Sequence, residues 1–222
     1  EIPNGVIAIG RRSFSSCSKL RTVKIPESVI SIAKSAFSDC DNLEFFEIAE
    51  GNPQFKRAGG VLLDKSDALF VAPPGLMKGQ YQIPNGTRKI EENAFCNCKN
   101  LQSVVMPDGV EVIGQSAFSG CSELRTVKIP DSVYSIEDNA FSECKALAEI
   151  TLPKGLTKIS QGLFDGCKQL QEIRIPDGVV VIESDAFSGC KGMISLSIPN
   201  GVLIIEEDAF YGCKNLTSIE LP

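Results

Sequence analysis

Residues 107 to 130 read PDGVEVIGQSAFSGCSELRTVKIP, and each part of this stretch has a local reading. Pro107-Asp108-Gly109 is a turn, because proline presets φ, aspartate can accept from the backbone ahead, and glycine tolerates the tight exit. Val110-Glu111-Val112-Ile113 is a short extended run. Phe118, Cys121 and Leu124 then fall on every third position, which lines them up on the core side of a tight 3₁₀-like or single α turn. From Val127 apolar and polar residues alternate as far as Pro130, the pattern of a strand whose Val127 and Ile129 point inward.

The unit recurs along the chain. Phe-Xaa-Xaa-Cys stands at Phe14/Cys17, Phe37/Cys40, Phe95/Cys98, Phe118/Cys121, Phe141/Cys144, Phe164/Cys167, Phe187/Cys190 and Phe210/Cys213, a step of 23 residues with one interval of 58. Prolines keep the same period at Pro3, Pro26, Pro84, Pro107, Pro130, Pro153, Pro176, Pro199 and Pro222. Two positions before each phenylalanine stand Arg12, Ser35, Asn93, Ser116, Asn139, Gly162, Asp185 and Asp208, mostly residues that cap helix N-termini. A single unit cannot bury its apolar side, so the units are expected to stack, with strands in a parallel sheet about 4.8 Å apart and like residues in columns.

The pattern Leu-Xaa-Xaa-Ile-Xaa-Ile-Pro-Xaa-Gly-Val-Xaa-Xaa-Ile-(four residues)-Ala-Phe-Xaa-Xaa-Cys is clearest from Leu124 to Cys144 and from Leu170 to Cys190. It resembles the BspA-like leucine-rich repeats of bacterial and some protist surface proteins. Departures are small: Leu163 stands for the alanine, Met193 for the leucine and Thr87 for the valine. The resemblance implies a β-rich leucine-rich-repeat solenoid, with short parallel strands, turns and short helical or 3₁₀ segments in a right-handed curved stack. It also implies an extracellular or cell-surface location and a role in adhesion or recognition. Residues 1–222 are read as one domain, a piece of a longer array.

The 58-residue interval enlarges one repeat, placed at residues 44–83. Val61-Leu62-Leu63-Asp64 and Ala68-Leu69-Phe70-Val71 flank a polar turn, which predicts a β-hairpin. It either continues the core as an enlarged coil or protrudes as a binding element. Phe45, Phe55, Phe70 and Tyr81 make the region aromatic, so Phe55, Phe70 and Tyr81 are candidate contacts of the hairpin.

Composition narrows the chemistry. The chain is 43% apolar and 23% charged, with a net charge of −6 and both signs scattered, which argues against a nucleic-acid partner. No apolar run is long enough for membrane insertion, and the first residues have no export signal. The absence of histidine removes Ser-His-Asp and Cys-His catalysis and histidine-containing zinc sites. Eight of the nine cysteines follow the repeat and are expected as reduced, buried thiols. Cys96 lies outside that column and is expected to be more exposed and open to oxidation. Glu91-Glu92 and Glu206-Glu207 suit helix N-terminal capping better than a calcium site. Neither a catalytic residue, a metal nor a cofactor is assigned.

Because alternate strand residues face outward, two columns form the candidate ligand-binding face. One runs through Lys24, Glu47, Val105, Lys128, Thr151, Arg174, Ser197 and Glu220, its neighbour through Thr22, Phe45, Ser103, Thr126, Glu149, Glu172, Ser195 and Ser218. The function expected is a non-enzymatic recognition or adhesion module for a protein or glycan ligand. The alternative is a structural spacer that holds other domains at the cell surface.

Overall fold

A computed structural model describes residues 1–220, so Pro222 lies outside the described residues. The chain forms a β-solenoid whose coils have three sides. One side carries strands of three to five residues, such as Leu101–Val105, Thr126–Lys128 and Glu149–Thr151. The second carries two-residue strands, such as Lys89–Ile90, Val112–Ile113 and Ser135–Ile136. Pairing is parallel and in register with the repeat: Thr126 lies beside Glu149 and Ile113 beside Ile136, each one repeat apart. Sequence period and spatial period are therefore the same quantity.

The third side corrects an expectation. Among the described residues there is no helix, and the stretch around Ser116-Ala117-Phe118 is a ladder of turns. Alternate N–H groups bond differently. Ala117, Ser119 and Cys121 donate three residues back within the coil, while Ser116, Phe118 and Gly120 donate to Asp138, Ala140 and Ser142 of the next coil at 2.8–2.9 Å. That alternation needs left-handed backbone, and φ is positive at Ser116, Asn139, Asp185 and Asp208 and at Gly120, Gly166 and Gly189. Asn, Asp, Ser and Gly recur here because they tolerate that conformation, and not because they cap helices.

Inside run the expected columns. Phe95, Phe118, Phe141, Phe164 and Phe187 are fully buried, and neighbouring rings stack with centroids 4.8–6.1 Å apart. Beside them the Cys121 thiol donates to the Phe95 carbonyl at 3.1 Å, and Cys144, Cys167 and Cys190 repeat this bond one coil on at 3.2 Å. Cysteine fits because it is small and apolar yet still reaches that carbonyl with its S–H. Cys17, in the first coil, is exposed, and Cys213 is half-buried.

The enlarged repeat is a three-stranded antiparallel meander, Phe55–Ala58, Val61–Asp64 and Ala68–Val71. Its last strand pairs in parallel with Lys89–Ile90, so it occupies a place in the second sheet. Leu62 packs with Val29, Phe37 and Phe46 in one core, whereas Val61, Leu63 and Leu69 belong to the core that continues through Phe95. The middle strand, buried on both faces, is thus a layer between two cores.

Candidate binding surface

Strand alternation puts the two columns on the solvent side. Lys24, Glu47, Val105, Lys128, Thr151, Arg174 and Ser197 are exposed, as are Phe45, Thr126, Glu149, Glu172 and Ser195, while Ser103 is half-exposed. Between them Val127, Ile150 and Ile173 turn inward. The face is of mixed charge, and its Lys24–Glu47 ion pair, at 3.6 Å, is open to solvent. Such a pair contributes little to stability.

Small hollows of about 300 Å³ lie on this face beside Thr22 and Lys24 and beside Phe45 and Glu47, and a larger one lies farther along. Residues 171–176 form no strand, although their neighbours Glu149–Thr151 and Ser195–Ser197 do. No backbone hydrogen bond joins them to residues 148–152, and Phe141 and Phe164 in the same pair of coils are the most separated stacked rings, at 6.1 Å. A groove of about 800 Å³ opens there, lined by Glu149, Thr151, Glu172, Arg174, Ser195 and Ser197 over a floor of Ile150, Ile173 and Leu196. A hollow of about 580 Å³ extends it past Leu152 toward Lys154 and Asp177. Glu149 and Glu172 are successive members of one outward column, and like charges directly opposite weaken strand pairing.

The aromatic residues of the enlarged repeat are placed differently from the expectation. Phe55 is buried, with its ring edge against Phe70 at 5.5 Å, because its strand faces the first core. Phe70 and Tyr81 are half-buried. Tyr81 donates its hydroxyl to the Gly59 carbonyl at 2.9 Å, packs its ring on Phe95, and has its pKa pushed up to about 12 by burial. These three brace the meander and present no exposed aromatic anchor. Phe45 is the exposed one, covered by the Arg57 guanidinium 4.1 Å from its ring centroid. Sequence reasoning missed Arg57, whose approach to Phe45 depends on how the meander folds back.

Another face was also missed. Ile7, Ile30, Tyr134, Val180 and Leu203 are exposed at one repeat position just before the second sheet, where Arg88 and Glu111 pair at 2.6 Å. Their shared spacing from the phenylalanines was the available signal.

Burial suppresses the chemistry of the core cysteines. Burial pushes the thiols of Cys98, Cys121, Cys144 and Cys167 well above their ordinary range. Burial, helped by the charge of Asp39, also raises the half-buried Cys96 to about 11, so it is not an activated nucleophile. No group of side chains among the described residues could hold a metal ion, and no helix is long and apolar enough to cross a membrane.

A family model described as the BspA type leucine rich repeat region matches residues 1–58, 79–194 and 181–222, in six copies. Among solved structures, a leucine rich cell surface protein from Faecalibacterium prausnitzii is 30% identical with a TM-score of 0.70, over 99% of this chain and 58% of that one. A leucine-rich repeat protein from Eubacterium ventriosum, 23% identical with a TM-score of 0.79 over 95% of this chain and 63% of that one, shares the fold. The leucine rich repeat protein of T. pallidum is 31% identical with a TM-score of 0.63, over 75% of this chain and 78% of that one. The chain spans about three fifths of the length of the first two. No curated protein sequence matches it.

Proposed function

Since the chain belongs to the BspA-type leucine-rich repeat family, we propose that it is a non-enzymatic recognition module at the cell surface that binds a protein or glycan through its outward strand face. The observation that carries this reading is the groove between Glu149–Thr151, Gln171–Arg174 and Ser195–Ser197, which is larger than the hollows at Thr22 and Lys24 and at Phe45 and Glu47 on the same face. An apolar floor rimmed by Glu149, Glu172 and Arg174 is the combination expected of a binding patch, with burial in the centre and polar groups at the rim. The cell-surface assignment draws on the Faecalibacterium prausnitzii neighbour, which is described as a cell surface protein.

The test is a binding screen of the chain against extracellular-matrix proteins and glycans, with Arg174→Glu run in parallel. Saturable binding weakened at least tenfold by Arg174→Glu supports the reading. No binding by the intact chain points to a spacer that holds other domains. Deleting residues 59–75 is unsuitable as a probe of binding, because Leu62, Leu63 and Leu69 are core residues and their loss would unfold the protein.

A further inference from the structure

The enlarged repeat leaves a defect in the turn ladder. From Asn93 onward each coil sends three N–H groups to the next, as Asn93, Phe95 and Asn97 do to Gln115, Ala117 and Ser119. The added coil has only the short Ala72-Pro73-Pro74-Gly75 on this side, and Ala72 alone enters the ladder, donating to Ala94 at 2.8 Å. Outward of Ala72 a rung is missing. On one wall the N–H groups of Ser35 and Asp39 have no hydrogen-bond partner among the described residues. On the other the carbonyls of Glu92 and Cys96, whose equivalents Gln115 and Ser119 accept bonds, accept none.

The gap is a cleft of about 810 Å³. The Lys34–Glu91 ion pair at 2.5 Å joins coils that are neighbours here but 58 residues apart in the regular count, and Lys99 pairs with Asp41 at 3.3 Å in the same way. Across the middle, the Asn97 side-chain amide donates to the Asp39 carboxylate at 2.7 Å. Arg11, Arg12, Ser35, Ser38 and Cys96 are among the other lining residues.

We infer that this cleft binds a short oligosaccharide. The inference rests on the recognition reading above but puts a second site on a different side of the solenoid. The walls require an occupant that both accepts and donates hydrogen bonds. A simple anion only accepts and would meet the carboxylates of Asp39 and Glu92, and an apolar ligand would leave every orphaned group unpaired. An extended peptide could satisfy both walls but needs a continuous path that the Asp39–Asn97 bridge interrupts, whereas a sugar can replace that bridge with bonds from its hydroxyls to both side chains. Sugar hydroxyls do both jobs, and a carboxylate beside a carboxamide offers acceptors and donors at the spacing of two adjacent hydroxyls. Arg12 adds a further fork of donors at the rim.

The experiment uses the intact chain on a printed array of neutral and sialylated oligosaccharides of two to six units. The oligosaccharide that binds is then tested free in solution. N-ethylmaleimide labelling of Cys96 is followed by peptide mapping, and Asp39→Ala/Asn97→Ala and Arg174→Glu are run in parallel. The expected result is labelling of Cys96 slowed at least fivefold by the bound sugar and affinity lowered at least tenfold by the double substitution. Protection of Cys96 in the unsubstituted chain decides the matter even if the double variant folds poorly. Sugar binding that leaves Cys96 unprotected, or that only Arg174→Glu abolishes, overturns the cleft assignment and leaves the recognition reading standing. Binding of a protein in the extracellular-matrix screen with no sugar bound does the same, whereas binding of nothing in either screen removes both.

Discussion

The side chain of Asn52 donates to the carbonyl of Pro26 at 2.8 Å, a bond that ties the entry of the enlarged repeat to the coil before it. The same amide donates to Val29 at 2.9 Å, and its oxygen accepts from the N–H groups of Gln54 and Phe55 at 3.0 and 2.7 Å. Asn52 is almost wholly buried, so one residue satisfies four backbone groups, three of them in buried bonds. Asn52→Ala should destabilise the chain by about 3 kcal/mol or more, since each buried polar group left unpaired costs about 1–3 kcal/mol. Urea unfolding checks this. A loss below about 1 kcal/mol would mean that the meander is held by its apolar contacts alone.

The groove gives a second expectation, of opposite sign. If repulsion between Glu149 and Glu172 holds residues 171–176 out of the sheet, Glu172→Thr should restore pairing and raise stability by about 0.2–1 kcal/mol. Amide exchange at residues 171–175 should slow at the same time. The gain should shrink in high salt, which screens exposed charges. Unchanged exchange would place the cause in the backbone and not in the charges.

Gly120 has φ of +74°, and a Cβ there would lie 2.2 Å from the Asn97 side-chain oxygen. Gly120→Ala should therefore cost more than the roughly 1–2 kcal/mol of left-handed strain alone. Adding Asn97→Ala should recover the steric part but not the strain. Thermal unfolding of the two single variants and the double variant measures that coupling, and simple additivity would refute the contact.

These cases show what the sequence carried. Phe118 and Cys121 were legible as core because every coil gives them the same neighbours, so a spatial column is written as a period. Ser116 was misread because helix caps and left-handed turns favour the same small polar residues, and only φ separates them. Phe55 was misread because an aromatic side chain is equally at home in a core or at an interface, and which one applies depends on how the meander folds. The groove and the ladder defect could not be read at all. For the first, the period already set Glu149 beside Glu172, but not that residues 171–176 leave the sheet, and the second needs to know which side of the coil the short Ala72–Gly75 segment takes.

The thiol column makes a prediction about pH. Cys98, Cys121, Cys144 and Cys167 have folded pKa values raised well above the ordinary 9.0, chiefly by burial, with the neighbouring thiols adding to it. A group whose pKa is raised on folding contributes its stability in full below the unfolded value and loses it as pH climbs toward the folded one. Below about pH 9 these thiols are neutral in both states and stability should not respond to them. Above it the unfolded chain ionises first, and each buried thiol should remove about 1.4 kcal/mol of stability per pH unit. Several acting together should make alkaline unfolding steep. Replacing Cys121 and Cys144 by alanine should make it shallower, even though each substitution lowers stability at neutral pH by removing core packing and the bond to a phenylalanine carbonyl. Unfolding monitored from pH 7 to 11 separates these effects, and a slope insensitive to the two substitutions would show that the thiol column is not what limits the protein in base.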